Sequence, residues 1–174
     1  MVVWSASCSY VITMNALILF HVALSLGGIF AGFFVVAGMI SAKPCHRGWT
    51  ALFLATTVAT SMTGFLFPYN GFTPALGTGI VSMVVLTVAL FALYGRHLAG
   101  VWRGTYVVNA VLALYLNFFV LIVQLFLKVP ALKELAPTQK EPPFAIAQGA
   151  ALGLFTVLGV LAWKRFRPVT AQAG

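Results

Sequence analysis

Residues 105–127 read TYVVNAVLALYLNFFVLIVQLFL, a run without one charged side chain, closed by Arg103 on one side and Lys128 on the other. A helix rising about 1.5 Å per residue carries such a run across the roughly 30 Å hydrocarbon core of a bilayer. In hydrocarbon each backbone N–H and C=O has to be paired within its own segment, so the run reads as a transmembrane helix. A charge at its centre would cost about 2.5–3.5 kcal/mol on insertion, whereas each Leu or Phe returns only about 0.3–0.6 kcal/mol.

Working outward, the charges divide the rest of the chain. Lys43, Arg47, Arg96, Arg103, Lys128, Lys133, Glu134, Lys140, Glu141, Lys164, Arg165 and Arg167 leave four further uncharged apolar runs, Ile12–Ile40, Trp49–Pro68, Ala75–Tyr94 and Phe144–Trp163. The expected architecture is an all-α, polytopic transmembrane bundle of five spans, 12–40, 49–68, 75–94, 105–127 and 144–163. It forms a single integral membrane domain over residues 1–174. Turn residues agree with this division: Lys43-Pro44 closes the first run, Pro68-Tyr69-Asn70-Gly71 follows the second, and Thr73-Pro74 has the pattern of an N-cap with proline at the first helical position. Pro130 follows the fourth run and Pro142-Pro143 precedes the fifth. Between them Ala131–Leu135 is expected to form one interfacial helical turn.

Composition points the same way. Hydrophobic residues make up 61% of the chain and charged ones 7%, with a mean hydropathy of +1.03, against about 25% charged residues in a soluble domain. The net charge of +8 comes from short basic runs between apolar stretches. That pattern suits anionic lipid headgroups and not nucleic acid. Lys43, Arg47, Arg96, Arg103, Lys164, Arg165 and Arg167 fall on one side of the five-span layout, and Lys128, Lys133 and Lys140 on the other. The positive-inside rule then puts the N-terminus outside and the C-terminus in the cytoplasm, with the first seven cations holding lipid phosphates on the cytoplasmic side. Met1–Tyr10 lacks lysine and arginine, so the start does not read as a cleaved signal peptide. The long first run either tilts or places its first turns at the interface beside Trp4 and Tyr10.

Several chemistries are missing. Cys8 and Cys45 lie at opposite ends of the first span and so cannot form an intrachain disulfide. No C-x-x-C pair is present, which argues against a quinone-linked thiol oxidoreductase of the vitamin K epoxide reductase kind. There is no Walker A motif, no H-E-x-x-H and no G-x-S-x-G. With no Asp and both Glu in the outer loop, intramembrane acids cannot form a proton relay. The reading is therefore a non-enzymatic one.

Polar residues inside the runs are the candidate sites. At 100° per residue Asn109, Asn117 and Gln124 share an arc of about 80°, and Tyr106 projects into it, making a polar stripe on the fourth helix. Thr56, Thr60 and Thr63 of the second run share an arc of about 60°, and the fifth run adds Gln148 and Thr156. Such groups serve either as interhelical hydrogen-bond glue, at about 0.6 kcal/mol per pair, or as the lining of a polar ligand cavity. His21 is the one ionisable group within a run, either functional or seated at the outer headgroup level. His46 and His97, each next to an arginine, are either solvated loop residues or a clamp for a haem edge or a metal. Gly28-x-x-x-Gly32 and Gly149-x-x-x-Gly153 permit close backbone approach, with packing inside the monomer favoured over a homodimer face.

His21, then Gly27 and Gly32, then Lys43 and His46-Arg47-Gly48 resemble, over residues 20–68, a family of bacterial multi-helix inner-membrane proteins without an assigned activity. The resemblance implies a bacterial inner membrane. The chain is also similar to small b-type cytochromes, which place histidines on paired helices. It departs from them in having only His21 within a span. The expectation is a protein that binds or transports a small molecule, or belongs to a larger membrane complex or homo-oligomer. Its ligand residues are His21, Thr56, Thr60, Tyr106, Asn109, Asn117, Gln124 and Gln148. The alternative is electron transfer through haem b held by His21 or by His46 and His97.

Overall fold

The computed structural model describes residues 2–42, 47–67 and 74–166, all helices and turns with no strand among them. Six α-helices follow in order: α1 Val2–Ile40, α2 Arg47–Gly64, α3 Pro74–Leu90, α4 Val101–Lys128, α5 Pro130–Leu135 and α6 Pro142–Arg165. A π-helical turn, Phe91–Gly95, extends α3. Four segments, Thr13–Ile40, Leu76–Gly95, Val101–Lys128 and Pro142–Arg165, are long and apolar enough to cross a membrane. They are compatible with an integral membrane protein.

The ends of these helices have local causes. Beyond the π-turn, His97 and Leu98 take positive φ values of 50° and 60°, followed by Gly100 at 54°, so the chain reverses tightly and α4 starts at Val101, ahead of the expected Thr105. Arg103 thus lies inside the helix. At its far end Val129 is extended at φ −87°, ψ 117°, because the residue before a proline is pushed out of the helical region. Pro142 and Pro143 fall in the first turn of α6, where a missing N–H costs nothing. The expected turn after Pro130 forms as α5.

The long helices α1, α3 and α6 all pack on α4. Its Val107, Ala110, Ala113 and Leu114 are fully buried, at the three- and four-residue spacing of one helical face. The helices close a ring in the order α1, α2, α3, α4, α6, and α1 and α4 also meet across its middle. That meeting is possible because Gly32 has no side chain: a Cβ there would lie 2.6 Å from Leu114 Cδ1 and 2.9 Å from Phe53 Cε2. Leu19, Phe30, Val84, Leu154 and Val157 are exposed on the outside of the ring, an apolar surface of the kind lipid covers. A smaller apolar cluster of Ile122, Phe126, Ala136 and Ala151 folds the α5 loop onto α4 and α6. The side-chain amides of Gln139 and Gln148 tie it down by donating to the carbonyls of Val123 at 3.0 Å and Phe119 at 3.3 Å.

The second run differs from expectation in its own sequence. Its helix ends at Gly64, short of Pro68, and carries Thr50, Thr56, Thr57, Thr60, Ser61 and Thr63, so it is less apolar than the other four. It nevertheless lies antiparallel to α1 over its whole length: Trp49 stacks on Phe34 with ring centroids 4.8 Å apart, Phe53 meets Gly32, and Thr63 meets His21. Four of its hydroxyls are satisfied inside the helix, Thr56, Thr60, Ser61 and Thr63 each donating to the carbonyl one turn back at 2.7–3.0 Å.

Candidate functional site

A cavity of about 490 Å³ opens between the middle of α1, the end of α2, the first half of α3 and the second half of α4. Its lower limit is set where Gly28 lets α1 approach its neighbours. A Cβ on Gly28 would meet Thr56 Oγ1 at 3.1 Å, Thr57 Oγ1 at 3.2 Å and Asn117 Nδ2 at 3.5 Å. Asn117 is buried there and donates to Thr57 Oγ1 at 3.3 Å. Above that floor the second half of α4 supplies one wall, with Leu116, Val120 and Leu121 as its apolar part and Gln124 as its polar part. Lys128 and Val129 mark the mouth. From Asn117 to Lys128 the helix rises ~17 Å.

The opposite wall belongs to α1, where His21, Ser25 and Gly28 recur at one-turn intervals on one face. Since α1 runs antiparallel to α4 and Gly28 lies level with Asn117, His21 is about 10 Å higher, level with Gln124 and one turn inside Lys128. Its Nδ1 is 2.9 Å from Thr63 Oγ1, a hydroxyl that itself donates to Ala59 O, so Nδ1 carries the hydrogen of that pair and Nε2 is left as an acceptor. Phe67 closes on the imidazole edge-on at 5.2 Å. From α2, Thr60 and Ser61 line the cavity with their protons already given to backbone carbonyls, which leaves their oxygens as acceptors. On α3, Thr78 and Ser82 lie one turn apart, and the buried Ser82 hydroxyl has no hydrogen-bond partner. A buried unpaired hydroxyl costs about 1–3 kcal/mol, so its place on a cavity wall marks where an occupant can hydrogen-bond.

The cavity gathers four of the expected ligand residues, His21, Thr60, Asn117 and Gln124. The other four lie elsewhere. Thr56 bonds back to Leu52 and Phe53. Asn109 donates to Thr105 O at 2.8 Å in its own helix, and Tyr106 is buried towards the other end of α4, its ring 6.2 Å from Phe166. Gln148 sits on α6, outside the cavity; its Nε2 bonds Phe119 O while its Oε1 is buried without a partner. The arc on α4 is shared as an angle, but at its lower end Tyr106 packs near Phe166, just past α6, and Asn109 bonds within α4. Ser25, Thr78 and Ser82 were absent from the expected set. A signal for them existed in the one-turn spacings His21–Ser25 and Thr78–Ser82.

Of the remaining expected residues, His97 is exposed in the turn beyond α3, whereas His21 lines the cavity beside Thr78 and Gly79 at the start of α3. The length of α3 therefore separates these two histidines. Lys43, Cys45, His46 and Arg167 lie outside the described residues, and no group of three His, Cys or acidic side chains suited to a metal occurs among the described ones. Arg103 donates to the carbonyls of Trp163 and Phe166, capping α6. Arg96 lies over the Trp102 ring at 5.5 Å. Arg47, Lys164 and Arg165 are exposed at helix ends. Gly28 and Gly32 pack inside the bundle, while Cβ atoms at Gly149 and Gly153 would meet nothing within 4 Å. The chain matches no protein family, no curated protein and no solved structure.

Proposed function

We propose that this chain is a five-span integral membrane protein that holds a small apolar or weakly polar molecule between α1, α2, α3 and α4. The observation that carries the reading is the unpartnered, buried Ser82 hydroxyl on the wall of a cavity that also receives His21, Asn117 and Gln124. Ligand pockets of about 300–1,000 Å³, largely apolar with a few convergent polar groups, are the common form of small-molecule sites. Supporting a fifth span, α2 lies against α1 along its length and four of its hydroxyls are satisfied within the helix, which lowers the cost of placing it in hydrocarbon. The basic residues favour an N-terminus outside and a cytoplasmic C-terminus, with anionic headgroups around Arg47, Arg96, Lys164 and Arg165. The resemblance over residues 20–68 favours a bacterial inner membrane. In this orientation the cavity mouth at Lys128 opens at the outer surface, and the first turns of α1, beyond the level of Lys128, lie at or above the headgroups.

The test is a comparison of small molecules that co-purify with the detergent-extracted wild type and with Asn117→Leu, by mass spectrometry of an organic extract. The expected result is a molecule retained by the wild type and depleted in the variant, at similar folded yield. Equal loss of ligand and fold would reduce Asn117 to interhelical glue. A Soret band in the purified protein that disappears in His21→Ala would replace this reading with haem binding.

A further inference from the structure

We infer that the occupant of the cavity is a single-chain amphiphile with an anionic head, its head at Lys128 and its chain running along α4 towards Asn117; this rests on the ligand-binding reading above. Charge is the first argument. Lys128 is the one formally charged residue on the cavity lining, and among the described residues no carboxylate pairs with it. The chain has only two acidic residues. The Glu141 carboxylate is engaged by Thr138 and by the Lys140 N–H, and Glu134 is exposed on α5. The protein thus offers a cation at the mouth of an apolar slot and supplies no anion to meet it. An exposed lysine at that rim attracts an anionic group from outside the chain.

Shape is the second argument. The slot follows α4 for ~17 Å from Lys128 to Asn117, and with bonds of about 1.5 Å a zigzag hydrocarbon gains ~1.3 Å per bond along its axis. A chain of about fourteen carbons spans it. A volume of about 490 Å³ corresponds to roughly sixteen water-sized units at about 30 Å³ each, which matches one such chain and its head. Leu116, Val120 and Leu121 line the chain's path on α4. Asn117 and Ser82 offer hydrogen bonds deeper in the slot, so a polar atom on the chain would be accommodated there.

The experiment is equilibrium binding of tetradecanoate and tetradecan-1-ol to the full chain in phosphatidylcholine nanodiscs. The acid is expected to bind at least tenfold more tightly than the alcohol, with the preference kept in Lys128→Arg and reduced to about twofold or less in Lys128→Gln. Lys128 is exposed, so neither substitution should perturb folding. Competition from discs containing phosphatidylglycerol would identify a bilayer lipid as the natural source of the same head-and-chain chemistry; no competition would point to a free acid. Equal binding of acid and alcohol overturns the anionic-head inference while leaving the cavity reading intact, as does a preference unchanged in Lys128→Gln. Failure of the wild type to bind either probe also overturns it, and the co-purification test on Asn117→Leu then decides the cavity reading separately.

Discussion

Two glycines in equivalent sequence patterns are expected to respond oppositely to one methyl group. At Gly32 a new Cβ would sit 2.6 Å from Leu114 Cδ1 and 2.9 and 3.0 Å from two carbons of the Phe53 ring, against an ordinary carbon contact of about 3.5–4.0 Å. Leu114 and Phe53 are themselves 0% exposed, so neither can retreat without moving α4 or α2. Overpacking of this kind costs about 1–3 kcal/mol. At Gly153 the same methyl meets nothing within 4 Å. Both substitutions share the gain from replacing glycine by alanine in a helix, about 0.5–1 kcal/mol, so this gain cancels in the difference between them. Gly32→Ala should therefore be less stable than Gly153→Ala by about 1–3 kcal/mol, roughly a 5- to 150-fold difference in the unfolding equilibrium. Denaturation of the two variants in the same detergent, followed by circular dichroism, measures this directly. Equal stabilities would refute the close meeting of α1, α2 and α4 at Gly32. A loss confined to Gly153→Ala would mean that the open face of α6 is packed against a second chain.

Three other outcomes are expected. Arg103→Gln should uncap the end of α6, with faster hydrogen exchange confined to its last turn near Phe166 and a stability loss of about 1 kcal/mol, since the guanidinium donates to the Trp163 and Phe166 carbonyls; unchanged exchange there would count against this cap. Desolvation pushes the Glu141 carboxyl up, but hydrogen bonds from its own N–H, Thr138 and Lys140 together outweigh it and hold the group below its ordinary value of 4.5. Because the folded value is depressed, its contribution to ordering 138–141 is complete above the ordinary carboxylate range and is lost as pH falls through the folded value; the protection factors of the Thr138 and Lys140 amides, measured against the intrinsic exchange rate at each pH, should fall on acidification in the wild type and stay constant in Glu141→Gln. In a background without Cys8 and Cys45, single cysteines at Ser41 and Phe67 should react with an impermeant thiol reagent from opposite sides of sealed vesicles, and labelling from one side would remove α2 from the set of spans.

The charge gaps made the long helices legible because insertion penalises every misplaced charge and so writes the spans into the sequence directly. α2 obeys a weaker version of the rule. Its threonines lower its hydropathy, yet Thr56, Thr60 and Thr63 spend their protons on carbonyls of the same helix, a saving that composition does not register. The candidate site was half legible for a related reason. Helical periodicity assigns an angle about one axis, and it correctly placed Asn117 and Gln124 on a common face with Asn109. Whether a face borders space or another helix depends on the partner at that height, which lies dozens of residues away in the chain.

Here the deciding partner is Gly28. By letting α1 touch Thr56, Thr57 and Asn117 it closes the floor of the cavity, so the stripe on α4 is divided at Asn117 into an open half and a packed half. The packed half keeps its polar groups satisfied locally, as in the Asn109–Thr105 bond. The open half leaves Ser82 unsatisfied and Lys128 without a carboxylate among the described residues. Interhelical glue would be expected to pair its groups. Apart from the Gln148 Oε1 on α6, the buried hydroxyl without a partner and the unpaired cation border one space, and that is the reason to read the upper half as a binding site.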